Sequence, residues 1–267
     1  MTENYIRYKE GKIHYSDRGE GDAIVLIHGY LESCEVWDSL AAKLSEKFRV
    51  ISLDLPGHGF SDMCEKSNSM ESMATIIRTL LDDLGIDKVF LTGHSLGGYI
   101  TLAFLELYPE RLTGYCLFHS HPFADTPEAI EKRGREMKIV MAGKKDLMYP
   151  DNIKRMFAIK NLDKFSEALL RSKDIASRIT AEGIISVLKG MIERPSRLSC
   201  MEKGTVPCLW ILGSMDNHIP CEAIQKKVNL PANAEVEILK DSGHLGFVEE
   251  EKRTLEIITG FVERLKS

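Results

Sequence analysis

Leu91-Thr92-Gly93-His94-Ser95-Leu96-Gly97-Gly98 is the stretch that decides the fold. An apolar run rich in large side chains, Val89-Phe90-Leu91-Thr92, leads into it and reads as a strand. An apolar segment of helical length, Leu96 to Leu107, leads out of it and stops before Pro109. A serine between two glycines at such a junction fits a turn so tight that flanking side chains would collide. Gly93 and Gly97 leave that space, and Gly98 lets the helix pack close to the strand. The serine hydroxyl then stands exposed, and the amide of Leu96 at the helix start points where a negative oxygen would form. This is a Gly-x-Ser-x-Gly nucleophile elbow in the context it requires. Glycine and serine are common at any strand-to-helix turn, so the partners decide.

Serine is a poor nucleophile at neutral pH and needs a base, which in turn needs an orienting acid. The order that goes with this elbow is Ser, then Asp or Glu, then His. The strand-like run Val206 to Leu212 opens into Gly213-Ser214-Met215-Asp216, and Glu235 to Leu239 opens into Lys240-Asp241-Ser242-Gly243-His244. Asp216 and His244 therefore both follow strands at their carboxyl ends, where sites in open α/β sheets gather. A loop-capping carboxylate and a solvated loop histidine are the plain alternatives, but three residues in the right order after three strands favour a triad. A second oxyanion donor is expected from the loop after Ala23-Ile24-Val25-Leu26-Ile27, where His28-Gly29-Tyr30 lets the backbone turn and aims the Tyr30 amide inward. His28 is expected to pack and hydrogen-bond locally.

Outward from these residues the chain alternates. A hairpin pairs Tyr5–Tyr8 with Ile13–Tyr15, and further strands are expected at Phe48–Leu53 and Tyr115–Phe118. Helices are expected at Trp37–Glu46, Met70–Leu84 and, at the end, Glu249–Leu265. Continuous apolar strands separated by helices mean an α/β protein with a buried parallel sheet. The rhythm breaks between Pro122 and Lys203, where only helical patterns occur: Pro127–Ala142, Asn152–Lys160, Lys164–Lys173 and Ala181–Glu193. The expected organisation is a core of residues 1–121 and 204–267 interrupted by a helical cap at 122–203. The cap's methionines (Met137, Met141, Met148, Met156, Met191) suggest an adaptable apolar underside, and Phe123 is a candidate substrate contact beside them.

Composition bounds the rest. The 267 residues are 43% hydrophobic and 28% charged with a net charge of −5, which excludes disorder and gives no basic surface for nucleic acid. No apolar run approaches the roughly 20 residues that span a bilayer, and the N-terminus lacks the basic-then-apolar layout of a secretory signal. The six cysteines (Cys34, Cys64, Cys116, Cys200, Cys208, Cys221) have no Cys-x-x-Cys spacing and read as free thiols of a cytoplasmic protein. A small-molecule substrate is expected; monomer and homodimer both remain open.

At this point the chain resembles the α/β-hydrolase fold family. The resemblance is carried by His28-Gly29, by Asp54-Leu55-Pro56-Gly57-His58-Gly59-Phe60-Ser61, by the elbow, by Asp216 and by Gly243-His244. It implies an eight-stranded, mostly parallel sheet, a lid where 122–203 falls, an acyl-enzyme mechanism and no cofactor. His58 is, by the same resemblance, a loop-shaping residue. The expectation is a serine hydrolase of a small ester, thioester or lactone, with Ser95 as nucleophile, His244 as base, Asp216 as orienting acid, and Tyr30 and Leu96 as oxyanion donors. The motifs also resemble the lyase of menaquinone synthesis and the carbon–carbon bond hydrolases of aromatic breakdown. A buried cap arginine gripping a carboxylate (Arg133, Arg135, Arg155, Arg171 or Arg178) would favour those. A ligand receptor on the same fold is a further alternative. Dehalogenases and epoxide hydrolases of this fold resemble it with Asp at the elbow, where this chain has Ser95. His119-Ser120-His121 with Asp125 has ligand-type residues, but its place at the mouth of a strand reads as pocket lining, with no metal expected.

Overall fold

A computed structural model describes residues 4–64 and 68–265; Met1, Thr2 and Glu3 of the N-terminal stretch read above lie outside them. Eight strands form one sheet: β1 (Asn4–Tyr8), β2 (Gly11–Arg18), β3 (Ala23–Ile27), β4 (Arg49–Leu53), β5 (Val89–His94), β6 (Leu112–Phe118), β7 (Cys208–Gly213) and β8 (Ala234–Leu239). Their order is β1-β2-β4-β3-β5-β6-β7-β8. The first two joins are antiparallel and the remaining five parallel. Every residue of β3, β5 and β7 is buried, which is why these strands carry apolar runs without alternation. Edge strand β8 alternates instead, and Ile238 is left exposed.

From β3 the chain passes to β4 on one flank and returns to β5 on the other, so the loops after β3 and β5 diverge. That divergence opens a crevice at the carboxyl edge, the usual ligand position in an open α/β sheet. Helices α1 (Asp38–Leu44) and α11 (Glu251–Arg264) pack together, as do α2 (Met70–Asp83) and α3 (Leu96–Leu107). Fully buried Trp37, Trp210, Phe90, Phe104 and Phe118 fill the layers between helices and sheet. Each such ring is worth roughly 1.5–3 kcal/mol by burial, enough to hold the strand ends rigidly in place.

Between β6 and β7 lie α4 (Pro127–Met141), α5 (Tyr149–Met156), α6 (Ser166–Arg178), α7 (Ala181–Glu193) and the short α8 (Leu198–Glu202). Ser69, Thr126 and Thr180 cap α2, α4 and α7 by accepting a backbone N–H three residues on. Several expected bounds shift, and three helices shift most, two of them for a tertiary reason. The helix expected over Asn152–Lys160 ends at Met156, because the Met156 carbonyl accepts the His244 amide at 2.6 Å and the Ala158 amide goes to Glu249 Oε1 at 2.9 Å. The third helix of this segment starts at Ser166 and runs to Arg178. The closing helix is broken at Glu250 into α10 (Gly246–Glu249) and α11. There Glu249 accepts from Gly243 and Asn161, and Glu250 accepts from Asp241 and Ser242. A further short helix, α9 (Cys221–Gln225), follows the Asp216 loop. Among the described residues no disulfide joins any of the six cysteines. Among the described residues no helix is long and apolar enough to cross a membrane.

Candidate active site

Among the described residues, four non-glycine residues adopt positive φ: Lys9, Leu31 (63°), Ser95 (50°) and His119 (46°). The last three surround one cavity or stand directly behind its wall, so backbone strain concentrates where the loops meet. At Ser95 the strain is held by pairing, since its amide donates to Phe118 O at 2.9 Å and its carbonyl accepts from Ser120 Oγ at 2.7 Å. A Cβ at Gly93 would run into the Gly97 backbone, and one at Gly97 into the carbonyl oxygens of Ile27 and His28. The elbow's glycines are therefore required by close approach.

Asp216 stands just past β7 with its carboxylate wholly buried. Oδ1 accepts the amides of His218 (2.7 Å) and Ile219 (2.9 Å). Oδ2 accepts from His244 Nδ1 at 2.6 Å. Burial alone would raise this carboxyl, but His244 and His119 hold it well below the ordinary carboxylate range. For His244, burial lowers the imidazole and Asp216 raises it more, so the ring titrates above its usual value. With Nδ1 committed to Asp216, Nε2 is the nitrogen left to take a proton. Ser95 and His244 line the same cavity, of about 280 Å³.

Tyr30 lines that cavity as well. Burial and the nearby Glu136 carboxylate suppress the acidity of its hydroxyl. Leu96 is buried at the first position of α3. The loop carrying Tyr30 lies against the elbow because Ile27 pairs with Gly93 across the sheet. His28 bonds locally: Nδ1 donates to Gly29 O at 2.8 Å and Nε2 accepts from Leu55 N at 3.0 Å. His58 is buried in the Asp54–Ser61 loop and donates to Pro56 O. Asp54 holds that loop by accepting from Cys34 and Phe60 amides.

His119 does not line the pocket, contrary to the sequence expectation. The positive φ at the end of β6 turns its side chain under the edge, where Nδ1 lies 3.3 Å from Asp216 Oδ2 and Nε2 accepts from Gly246 N at 3.2 Å. His121 and Asp125, two and six residues on, do line it. His119, Asp216 and His244 bring ligand-type atoms within 4.8 Å of one another, and each is engaged in the acid–base chain just described. Of the segment's methionines, Met156 and Met191 reach the cavity, Met148 is buried, and Met141 is 73% exposed. Phe123 is half-buried against the core and donates its amide to His121 Nδ1.

The wall opposite the elbow comes from the helical segment: Asp125, Lys132, Arg133, Glu136 and Asn152. Arg133 alone of the five arginines singled out from sequence faces the cavity. Arg171 and Arg178 pair with Asp38 and Glu35 at the surface, Arg135 with Glu131, and Arg155 is exposed. Arg133 is already gripped by Asp125 (Nε to Oδ2, 2.6 Å), which also holds Arg194 at 2.7 Å. The buried Arg194 stacks 3.7 Å over the Tyr99 ring and was not foreseen, because nothing local distinguishes it from other helix-end arginines. Also missed were His218, packed 5.0 Å from His244, and the buried pair Glu32 and His94. For His94 a signal existed, since it sits inside the elbow motif.

Fold and site together define the class. The chain belongs to the α/β-hydrolase fold family, whose profile matches residues 22–251. It is 28% identical to the putative 2-succinyl-6-hydroxy-2,4-cyclohexadiene-1-carboxylate synthase of Bacillus subtilis, covering 94% of this chain and 95% of that one. It is 25% identical to a 2-hydroxy-6-oxononadienedioate/2-hydroxy-6-oxononatrienedioate hydrolase of Klebsiella pneumoniae, covering 98% of this chain and 96% of that one. Among solved structures, a thermophilic esterase from Thermogutta terrifontis with malate bound superposes with a TM-score of 0.92 at 25% identity over the whole of both chains.

Proposed function

We propose that this α/β-hydrolase is a serine hydrolase of a small, polar ester, thioester or lactone. The observation that carries the proposal is the Asp216–His244 bond of 2.6 Å beside a serine held at φ 50° on the same cavity. In this mechanism His244 Nε2 takes the Ser95 proton as the hydroxyl oxygen attacks the substrate carbonyl. Asp216 fixes the tautomer and stabilises the imidazolium. The amides of Tyr30 and Leu96 receive the oxyanion, a contribution of about 3 kcal/mol for each donor. His244 then protonates the leaving group and activates water to hydrolyse the acyl-enzyme. Residues 122–203 act as a cap whose helices select the substrate. A cavity of about 280 Å³ lined by Asp125, Lys132, Arg133 and Glu136 suits a short acyl group bearing hydrogen-bonding substituents.

The cavity-facing Arg133 favours one second reading, the proton removal or carbon–carbon cleavage beside a ketone that the sequence motifs also suggest; two relatives are named as a cyclohexadiene-carboxylate synthase and as an oxo-dienedioate hydrolase. Arg133 would there share its charge between Asp125 and a substrate carboxylate. Rapid-quench mass analysis with p-nitrophenyl esters, acyl-CoAs, lactones and a vinylogous 1,5-diketone acid separates the two. Turnover of an ester or lactone through an acyl adduct on Ser95 is expected. Turnover of the diketone acid alone, with no acyl adduct from any ester, would replace ester hydrolysis by the second chemistry.

A further inference from the structure

We propose that Glu32 and His94 form a positioning pair that ties together the three loops on which the chemistry depends. The proposal rests on the serine-hydrolase mechanism above and adds two residues that never touch the substrate. Glu32 Oε2 accepts the amide of Gly29 at 2.5 Å and lies 2.9 Å from His94 Nδ1. His94 Nε2 lies 2.8 Å from the carbonyl oxygen of His244. One carboxylate and one imidazole thus join the loop that presents Tyr30, the elbow that presents Ser95, and the loop that carries His244.

The chemistry of the chain is directional. A carbonyl only accepts, so His94 Nε2 must donate to His244 O, while Nδ1 faces the same carboxylate oxygen that takes the Gly29 amide. Both side chains are buried, Glu32 at 3% exposure and His94 at 0%. The rings of Trp37, Phe118 and Phe247 pack around His94, at 6.3, 6.2 and 5.1 Å, and keep the pair dry, where such bonds are strongest. Burial raises the Glu32 carboxyl, but His94 and the Gly29 amide outweigh it and hold the group ionised.

A purely space-filling role fits poorly. Glu32 Oε1 is buried without a partner, and two apolar side chains would fill the same volume with no desolvation cost. The contacts also fall on backbone atoms beside the reacting groups: the amide before Tyr30, the residue before Ser95, and the carbonyl of His244 itself. Even Gly29 is drawn in, since a Cβ there would meet His94 Nδ1 and the Glu32 carboxylate.

The test uses pairs of variants that differ in a single hydrogen bond. His94→Gln places an amide where Nε2 was and can still donate to His244 O, whereas His94→Asn places it where Nδ1 was and releases His244. Steady-state kinetics on whichever ester the wild type turns over should give a kcat about 100-fold lower for His94→Asn and within about 10-fold of wild type for His94→Gln. KM should stay within about threefold in both, and melting temperatures should fall alike. Glu32→Leu should lose kcat by a similar factor without a lower melting temperature, and Glu32→Gln should recover most of it. Equal kcat for His94→Asn and His94→Gln, or a well-folded Glu32→Leu with wild-type kcat, would overturn the pairing role. Fluorophosphonate labelling of the same samples separates the two levels. Wild type that labels while the variants behave alike removes the positioning pair only. Wild type that neither labels nor turns over an ester removes the hydrolase mechanism, and the pair's role with it.

Discussion

The carboxyl edge of the sheet and the helical segment above it build opposite walls of one cavity, and they treat polar groups in opposite ways. At the edge the acid, the base and His94 are held by hydrogen bonds. Both oxygens of Asp216 accept hydrogen bonds, His244 Nδ1 is held at 2.6 Å, and His94 is bonded through both ring nitrogens. On the helical wall capacity is left over. Arg133 bonds Asp125 through two of its nitrogens, and Glu136 receives one long bond from Asn152 at 3.3 Å. A hydrogen-bonded acid and base are preorganised for one reaction and cannot be retuned cheaply. A wall with spare donors and acceptors is where a substrate completes the bonding. On the proposed mechanism, chemistry and selectivity are separable by mutation.

The largest expected effect is at the edge. Ser95→Ala should lower kcat/KM by about 10⁴-fold or more with the melting temperature unchanged, measured on any ester the wild type accepts. Asp216→Asn comes next, at about 10³–10⁴-fold, and it should also move the pH profile. In the proposed mechanism the neutral imidazole of His244 is the base. Because Asp216 raises the His244 pKa above its ordinary 6.5, the wild-type acid limb should lie above pH 6.5, activity growing as pH rises through it. Without that carboxylate burial is opposed only by the weaker pull of Glu32 and Glu249, so the limb of the residual activity should shift to lower pH. A limb that stays in place would mean that a different group titrates.

The helical wall should answer differently. Arg133→Met should leave fluorophosphonate labelling within about threefold of wild type while changing kcat/KM about 10-fold for acidic esters relative to neutral ones. A uniform loss across all esters would erase the separation between the two walls. The smallest effect is expected at Arg171→Ala, whose surface pair with Asp38 is worth at most about 1 kcal/mol and should move neither stability nor kinetics beyond that.

How far these walls were legible in the sequence follows the same division. The strands and the elbow could be read because local chemistry is unambiguous there. A run such as Ala23 to Ile27 can be stable only when buried on both faces, and a glycine on each side of Ser95 has a steric reason. Asp216 and His244 were found through order and through their place after strands. The helical segment was legible only as helices. Where α5 ends depends on the His244 amide and on Glu249, residues some 90 positions away, and no periodicity encodes that. His119 misled for a related reason: a single residue at positive φ turned a side chain from the pocket to the back of Asp216. Glu32 and Arg194 carry no local mark, because a buried carboxylate and a buried guanidinium look like surface residues until their partners are known.

Intact-mass analysis after reaction with a small fluorophosphonate, followed by peptide mapping, tests the central assignment most directly. One adduct per chain is expected, mapped to the peptide containing Ser95, forming faster as pH rises past 6.5 and absent in Ser95→Ala. Unmodified wild-type protein, or an adduct that survives Ser95→Ala, would contradict it.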